Sequence, residues 1–170
     1  MLYKKNHPLI ALLTFLLFFT VIILNTAGIF DLAIKNAVPF TPLPLLTAFC
    51  IFSDIKKSAL AGFLTGACVD SVASGSYCFN TIILLITATL VCLTANNLFN
   101  KNIRAAVVLS ILTAVFYFLF YWIFFHAFGM TVQQSLQYLL ANSLPSALYT
   151  SFFIFPFYII FRYFNKLKAK

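Results

Sequence analysis

From residue 105 to residue 161 the chain runs for 57 positions without a formal charge, and residues 6–30 and 71–100 form two shorter charge-free runs. A helix rising about 1.5 Å per residue needs about 20 apolar residues to cross a hydrocarbon core of ~30 Å. The longest run therefore has room for two crossings and each of the others for one. Composition agrees with this. Apolar residues make up 63% of the 170 and charged residues 8%, where a soluble domain carries about 25% charged. The expected class is an all-α integral membrane protein, with residues 1–170 forming a single transmembrane domain.

Apolar runs between polar punctuation mark six segments, at residues 8–28, 38–53, 58–73, 79–99, 103–128 and 135–161. Lys4 and Lys5 followed by an apolar run resemble a signal peptide. The run is long for that purpose and more apolar segments follow it, so a retained first helix is expected. The second segment opens with VPFTPLPLL, in which Pro39, Pro42 and Pro44 remove backbone donors and disfavour helix in the residues before them. An extended or broken stretch leading into a short helix is expected there. Segments two and three are short enough to need shielding by their neighbours.

The basic residues give an orientation. Lys4, Lys5, Lys56, Lys57, Lys101, Arg104, Arg162, Lys166, Lys168 and Lys170 fall on one side of a six-span topology, and Lys35 alone on the other. Short loops rich in Lys and Arg stay cytoplasmic, so both termini are expected in the cytoplasm. The net charge of +8 follows from that topology and needs no nucleic acid to explain it. The loops are too short for a soluble domain. Cys50, Cys68, Cys78 and Cys92 form no C-x-x-C pair, and no metal site is expected from them.

One feature resists the apolar background. Gly62, Gly66 and Asp70 stand at i, i+4 and i+8 on one helix face, with Gly75 just beyond and Ala59 near the same stripe. Small residues let helices approach closely in lipid, where little hydrophobic force drives them together. A carboxylate near mid-membrane is unfavourable by roughly 2.5–3.5 kcal/mol on insertion scales, so Asp70 is expected to face the bundle interior. Three roles remain open for it: a tie between helices through Asn, Ser, Thr or Tyr, a ligand or ion contact, or a contact to a protein partner. A second polar stripe, Asn142, Ser146 and Thr150 with Pro145 and Tyr149 beside it, would form a kinked helix that faces Asp70 across the bundle or packs on its neighbours. The run FYFLFYWIFF, residues 116–125, covers every helix face, with Tyr121 and Trp122 toward the external interface.

Enzyme chemistry is not expected. The sequence has no Glu, no Ser/His/Asp set that would converge, no metal-ligand cluster and no glycine-rich phosphate loop. No catalytic residue, cofactor-binding residue or cofactor is therefore assigned.

The proline-rich VPFTPLPLL, the short basic turn after it, and GFLTGACVDSVASGSYCFNTI together resemble the rod shape-determining protein MreD family. The six-span length and the Asn142…Pro145 pair are similar too, and Gly62, Gly66, Asp70 and Gly75 match the family's G-x-x-x-G-x-x-x-D run and following turn in order. The resemblance is strongest over residues 38–100. It implies a non-enzymatic component of the bacterial cell-elongation complex in the inner membrane, which acts on cell shape and peptidoglycan synthesis through membrane partners. Those partners would be a bitopic periplasmic scaffold protein like MreC and, indirectly, actin-like filaments and the peptidoglycan polymerase and transpeptidase. It also implies a fold like the S-component of energy-coupling factor transporters. An S-component itself, capturing a vitamin or metal, is the alternative function. It would need small residues at spacing four in the first span, where this chain has LIALLTFLLFFTVIIL.

Overall fold

Long apolar runs fold as helices because only a helix or a closed barrel satisfies every backbone N–H and C=O where water is scarce. The computed structural model describes residues 7–26, 37–72, 78–97, 102–126 and 131–169, and the regular elements among them are helical. They are α1 (His7–Thr26), α2 (Pro42–Ile51), α3 (Ile55–Val72), α4 (Phe79–Asn97), α5 (Ile103–Phe125), α6 (Val132–Tyr138), α7 (Leu144–Phe152) and α8 (Ile154–Ala169). A π-helical turn at Leu139–Ser143 joins α6 to α7. Each of the six segments read from the sequence contains helix. Four stretches are long and apolar enough to cross a membrane: Leu9–Thr26, Phe79–Asn97, Ile103–Phe125 and Gln133–Leu167. Helix α2 is too short for this, and α3 carries Lys56, Lys57 and Asp70.

Ten-residue α2 lies at the centre. Leu45, Ala48 and Cys50 are wholly buried and Leu43 and Leu46 nearly so, with α1, α3, α4, α5, α7 and α8 packed around it. A helix apolar on all sides is one that neighbours enclose, which is how a helix of about 15 Å holds its place. The others turn one stripe inward. On α5 the stripe is Ala106, Leu109, Ser110, Thr113, Ala114 and Tyr117, at the spacing of a helical face. On α3 it is Ser58, Gly62, Thr65, Gly66 and Val69, while Leu60, Phe63 and Leu64 point outward. Ser58, rather than the half-buried Ala59, extends the glycine stripe.

Several boundaries differ from the sequence reading. Lys56 and Lys57 belong to the first turn of α3, so the link from α2 is only residues 52–54. The backbone carbonyl of Asp54 accepts the Ser58 N–H at 2.9 Å, so the i to i−4 bonding already begins at residue 54. The last segment is helical well beyond both ends of 135–161, and it takes in Arg162 and Lys166. It is not one straight rod. Pro145 has no N–H to give the Ala141 carbonyl, and the π turn lies there; a second break falls at Phe153.

Residues 38–40 lie outside any helix, but of the three prolines only Pro39 stays in this lead-in. Pro42 and Pro44 fall in the first turn of α2, where a missing N–H has no partner inside the helix to lose. The fold must find acceptors for the free N–H groups of the lead-in. Val38 N–H donates to Ser146 Oγ at 3.1 Å and Phe40 N–H to Thr150 Oγ1 at 3.0 Å. Thr41 donates its N–H and its hydroxyl to Asn25 Oδ1 at 3.2 and 3.1 Å. The Ser146–Thr150 stripe thus faces the lead-in to α2, not Asp70. An unsatisfied buried N–H costs about 1–3 kcal/mol. Thr150→Val, isosteric but without the acceptor, is expected to lower stability by about 2 kcal/mol in a detergent unfolding titration. Leu148→Ala, on the exposed side of the same helix, serves as the near-neutral comparison.

Candidate functional site

The residues that the sequence singled out on α3 converge on the first turn of α4. Helices α3 and α4 are antiparallel neighbours, and the glycines set how near they come. A Cβ on Gly66 would overlap Thr81 Cα and lie 2.6 Å from Asn80 O and 2.7 Å from Thr81 N. A Cβ on Gly62 would lie 2.5 Å from Leu84 O and 2.8 Å from Ala88 Cβ. The obstacles are mostly backbone atoms, which cannot rotate aside. Both positions therefore require glycine for close approach.

That approach brings Asp70 to the N-terminus of α4. The first N–H groups of any helix lack partners inside it, and α4 is preceded by Cys78, whose side chain is a poor cap and whose φ of 61° is left-handed. Asp70 supplies the cap from the neighbouring helix. Its Oδ1 accepts the Asn80 N–H at 3.2 Å and Asn80 Nδ2 at 2.8 Å. Its Oδ2 accepts the Thr81 N–H at 2.7 Å and the Thr81 hydroxyl at 2.6 Å. The helix dipole adds an attraction for negative charge at that end. Tyr117 of α5, 5% exposed, completes the array by donating its hydroxyl to Asn80 Oδ1 at 2.6 Å. Three helices are thereby joined through one carboxylate and one carboxamide.

Of the three roles left open for Asp70, these contacts describe the tie between helices. A carboxylate that already holds four donors anchors the array, and proton abstraction would require breaking it. The other described aspartate is a contrast: Asp54 is a solvent-side partner of Lys57, with an Oδ2–Nζ distance of 3.1 Å and both side chains mostly exposed.

Gly75 lies outside the described residues. Asn142 and Ser146 lie near the lead-in to α2, Pro145 stands in the first turn of α7, and Tyr149 turns toward Phe153 with ring centroids 5.6 Å apart. Trp122 ties α5 to α6, its Nε1 donating to Ser135 O at 2.8 Å. Asn25, Asn80, Thr81 and Tyr117 were not identified from sequence. A signal existed for two of them: Asn80-Thr81 is a polar pair at the head of the apolar run ILLI, where helix caps are found. Asn25 and Tyr117 carry none, because only the tertiary fold brings them to their partners.

Phe40 and Tyr117 stack at 4.7 Å and 7°, so the lead-in to α2 and the Asp70 array lie on either side of one aromatic pair. Beside that pair is a cavity of about 320 Å³. Compared with family models, curated proteins and solved structures, the chain matches none of them.

Proposed function

We propose that this chain is a non-enzymatic component of the bacterial cell-elongation machinery, of the rod shape-determining MreD kind. It would reside in the inner membrane with both termini in the cytoplasm and assist the placing of peptidoglycan synthesis by binding membrane partners. The observation that carries the reading is the run Gly62, Gly66 and Asp70, spent on closing α3 against α4. Its residues are used up in architecture. What remains for recognition is the outer helix faces, such as Leu60, Phe63 and Leu64 of α3 and Leu12, Phe15, Leu16 and Phe19 of α1. A membrane-spanning partner docks on such faces by shape, with small residues on the partner's own helix letting it approach these bulky side chains. The partner that suits them is a bitopic periplasmic scaffold protein like MreC, which would link the chain to actin-like filaments and to the peptidoglycan polymerase and transpeptidase.

A second reading, a solute-capturing subunit like an S-component, is favoured by the cavity beside Tyr117. The bulky α1 sequence counts against it. One experiment separates the two. Depletion of the protein in its host is expected to turn rods into round cells with solute uptake unchanged. Normal rods with a lost vitamin or metal uptake would exchange the order of the readings.

A further inference from the structure

A cleft of about 320 Å³ opens beside the stacked Phe40–Tyr117 pair. It lies between the lead-in to α2, α5 and the α6–α7 junction, at the end of the bundle where α3 passes to α4. Its size is at the lower end of the range for small-molecule sites, about 300–1,000 Å³. The walls combine rings from Tyr117, Tyr121 and Tyr138 with polar groups of Asn25, Asn142 and Ser146. Among the described residues that line it, none carries a formal charge. A few polar groups on a mainly aromatic wall is the usual make-up of a site for an uncharged ring compound.

Asn142 is the second, independent observation. It belongs to the π turn at Leu139–Ser143, and isolated π turns inside helices occur often at functional sites. Its Oδ1 is buried without a hydrogen-bond partner among the described residues, whereas buried polar side-chain atoms are normally paired. That oxygen is shielded where it lies, and because the terminal torsion of Asn is soft, a turn of the carboxamide presents its oxygen or its NH2 to the cleft that Asn142 lines. The surroundings are held in place by the bonds from Val38 to Ser146, Phe40 to Thr150 and Thr41 to Asn25. The cavity is therefore preformed, and a ligand would not have to order it.

We infer that this cavity is a binding site for a small uncharged ring compound bearing a carboxamide or hydroxyl group, which pairs with the carboxamide of Asn142 while the tyrosines enclose the ring. The inference rests on the cavity alone and holds under either reading of the protein's function. Charged analogues are disfavoured because the described wall offers an ionic group no counter-charge.

The test uses three compounds of one shape, benzamide, acetophenone and benzoate, with the full chain in nanodiscs of deuterated lipid and saturation-transfer NMR as the readout. Benzamide is expected to bind saturably, about ten-fold more tightly than acetophenone, which lacks the donor. Benzoate is expected to show no saturable binding. Asn142→Leu is expected to erase the preference for benzamide over acetophenone. Should that variant not fold, the three-compound comparison on the natural chain decides alone. Benzamide indistinguishable from empty nanodiscs, all three compounds binding alike, or an unchanged preference in folded Asn142→Leu would each overturn the inference.

Discussion

Gly66→Ala is expected to destabilise the protein by about 3 kcal/mol, the upper part of the range for overpacked sites. The reason is the nature of the atoms in the way. A methyl at position 66 would meet Thr81 Cα, Thr81 N and Asn80 O, all backbone, so relief comes only by moving α3 away from α4. That movement also draws Asp70 off the α4 terminus, because Asp70 lies one helical turn further along the same face. The substitution therefore loses packing and part of the cap together. Gly62→Ala meets Leu84 O and the Ala88 methyl and is expected to lose about as much packing, with less effect on the cap two turns away. An alanine in place of Leu60, on the exposed side of α3, makes the comparison fair. Unfolding in mild detergent, followed by helicity and by cysteine accessibility, measures all three. A change below about 1 kcal/mol for Gly66→Ala would mean that close contact between α3 and α4 at Gly66 is not what requires glycine there.

How much of this was legible beforehand differs from feature to feature, for physical reasons. Helices were legible because charge-free runs and their lengths report directly on what lipid tolerates. The inward face of α3 was legible because Gly62, Gly66 and Asp70 share the period of a helix face. The non-helical lead-in was legible at Pro39, whereas Pro42 and Pro44 start α2 rather than delay it. The partners of these features were not legible. Nothing in residues 142–150 alone says that Ser146 and Thr150 accept from Val38 and Phe40, more than a hundred positions away in the chain; the polar stripe was visible, but its direction was a tertiary fact. The helix boundaries at Ile55 and beyond Phe161 were missed because charge was read as a mark of the membrane edge, whereas a helix continues past that edge wherever its backbone bonds remain available. The cavity was invisible for a related reason. Asn25, Tyr117 and Asn142 belong to three different helices, and no local pattern couples them.

The same array fixes what should happen at Asp70. Asp70→Asn is expected to cost about 3 kcal/mol and Asp70→Leu about 4 kcal/mol or more, both measured as unfolding free energies in mild detergent. The sequence alone suggests that Asn is tolerated better than Leu, since hydrogen bonding is what an interior polar group must preserve. The structure keeps that order but makes Asn far from neutral. Each of the four groups on Asn80 and Thr81 that bond the carboxylate is a donor. An Asn side chain has one acceptor oxygen, so it serves either the Asn80 pair or the Thr81 pair and sets its NH2 against the other. The Thr81 hydroxyl can turn and accept from that NH2; the backbone N–H of residue 81 cannot. Leu offers no acceptor and leaves the first turn of α4 uncapped. Exchanging the two groups, Asp70→Asn together with Asn80→Asp, restores a carboxylate–carboxamide pair, keeps an acceptor for the Tyr117 hydroxyl and leaves the carboxamide oxygen to the Thr81 N–H, but loses the bond from the Asn80 N–H. It is expected to recover about 1 kcal/mol relative to the sum of the single changes. Asn and Leu variants that both remain folded and lose function equally would show instead that the carboxylate acts through its ionisation, and the tie between helices would no longer account for its presence.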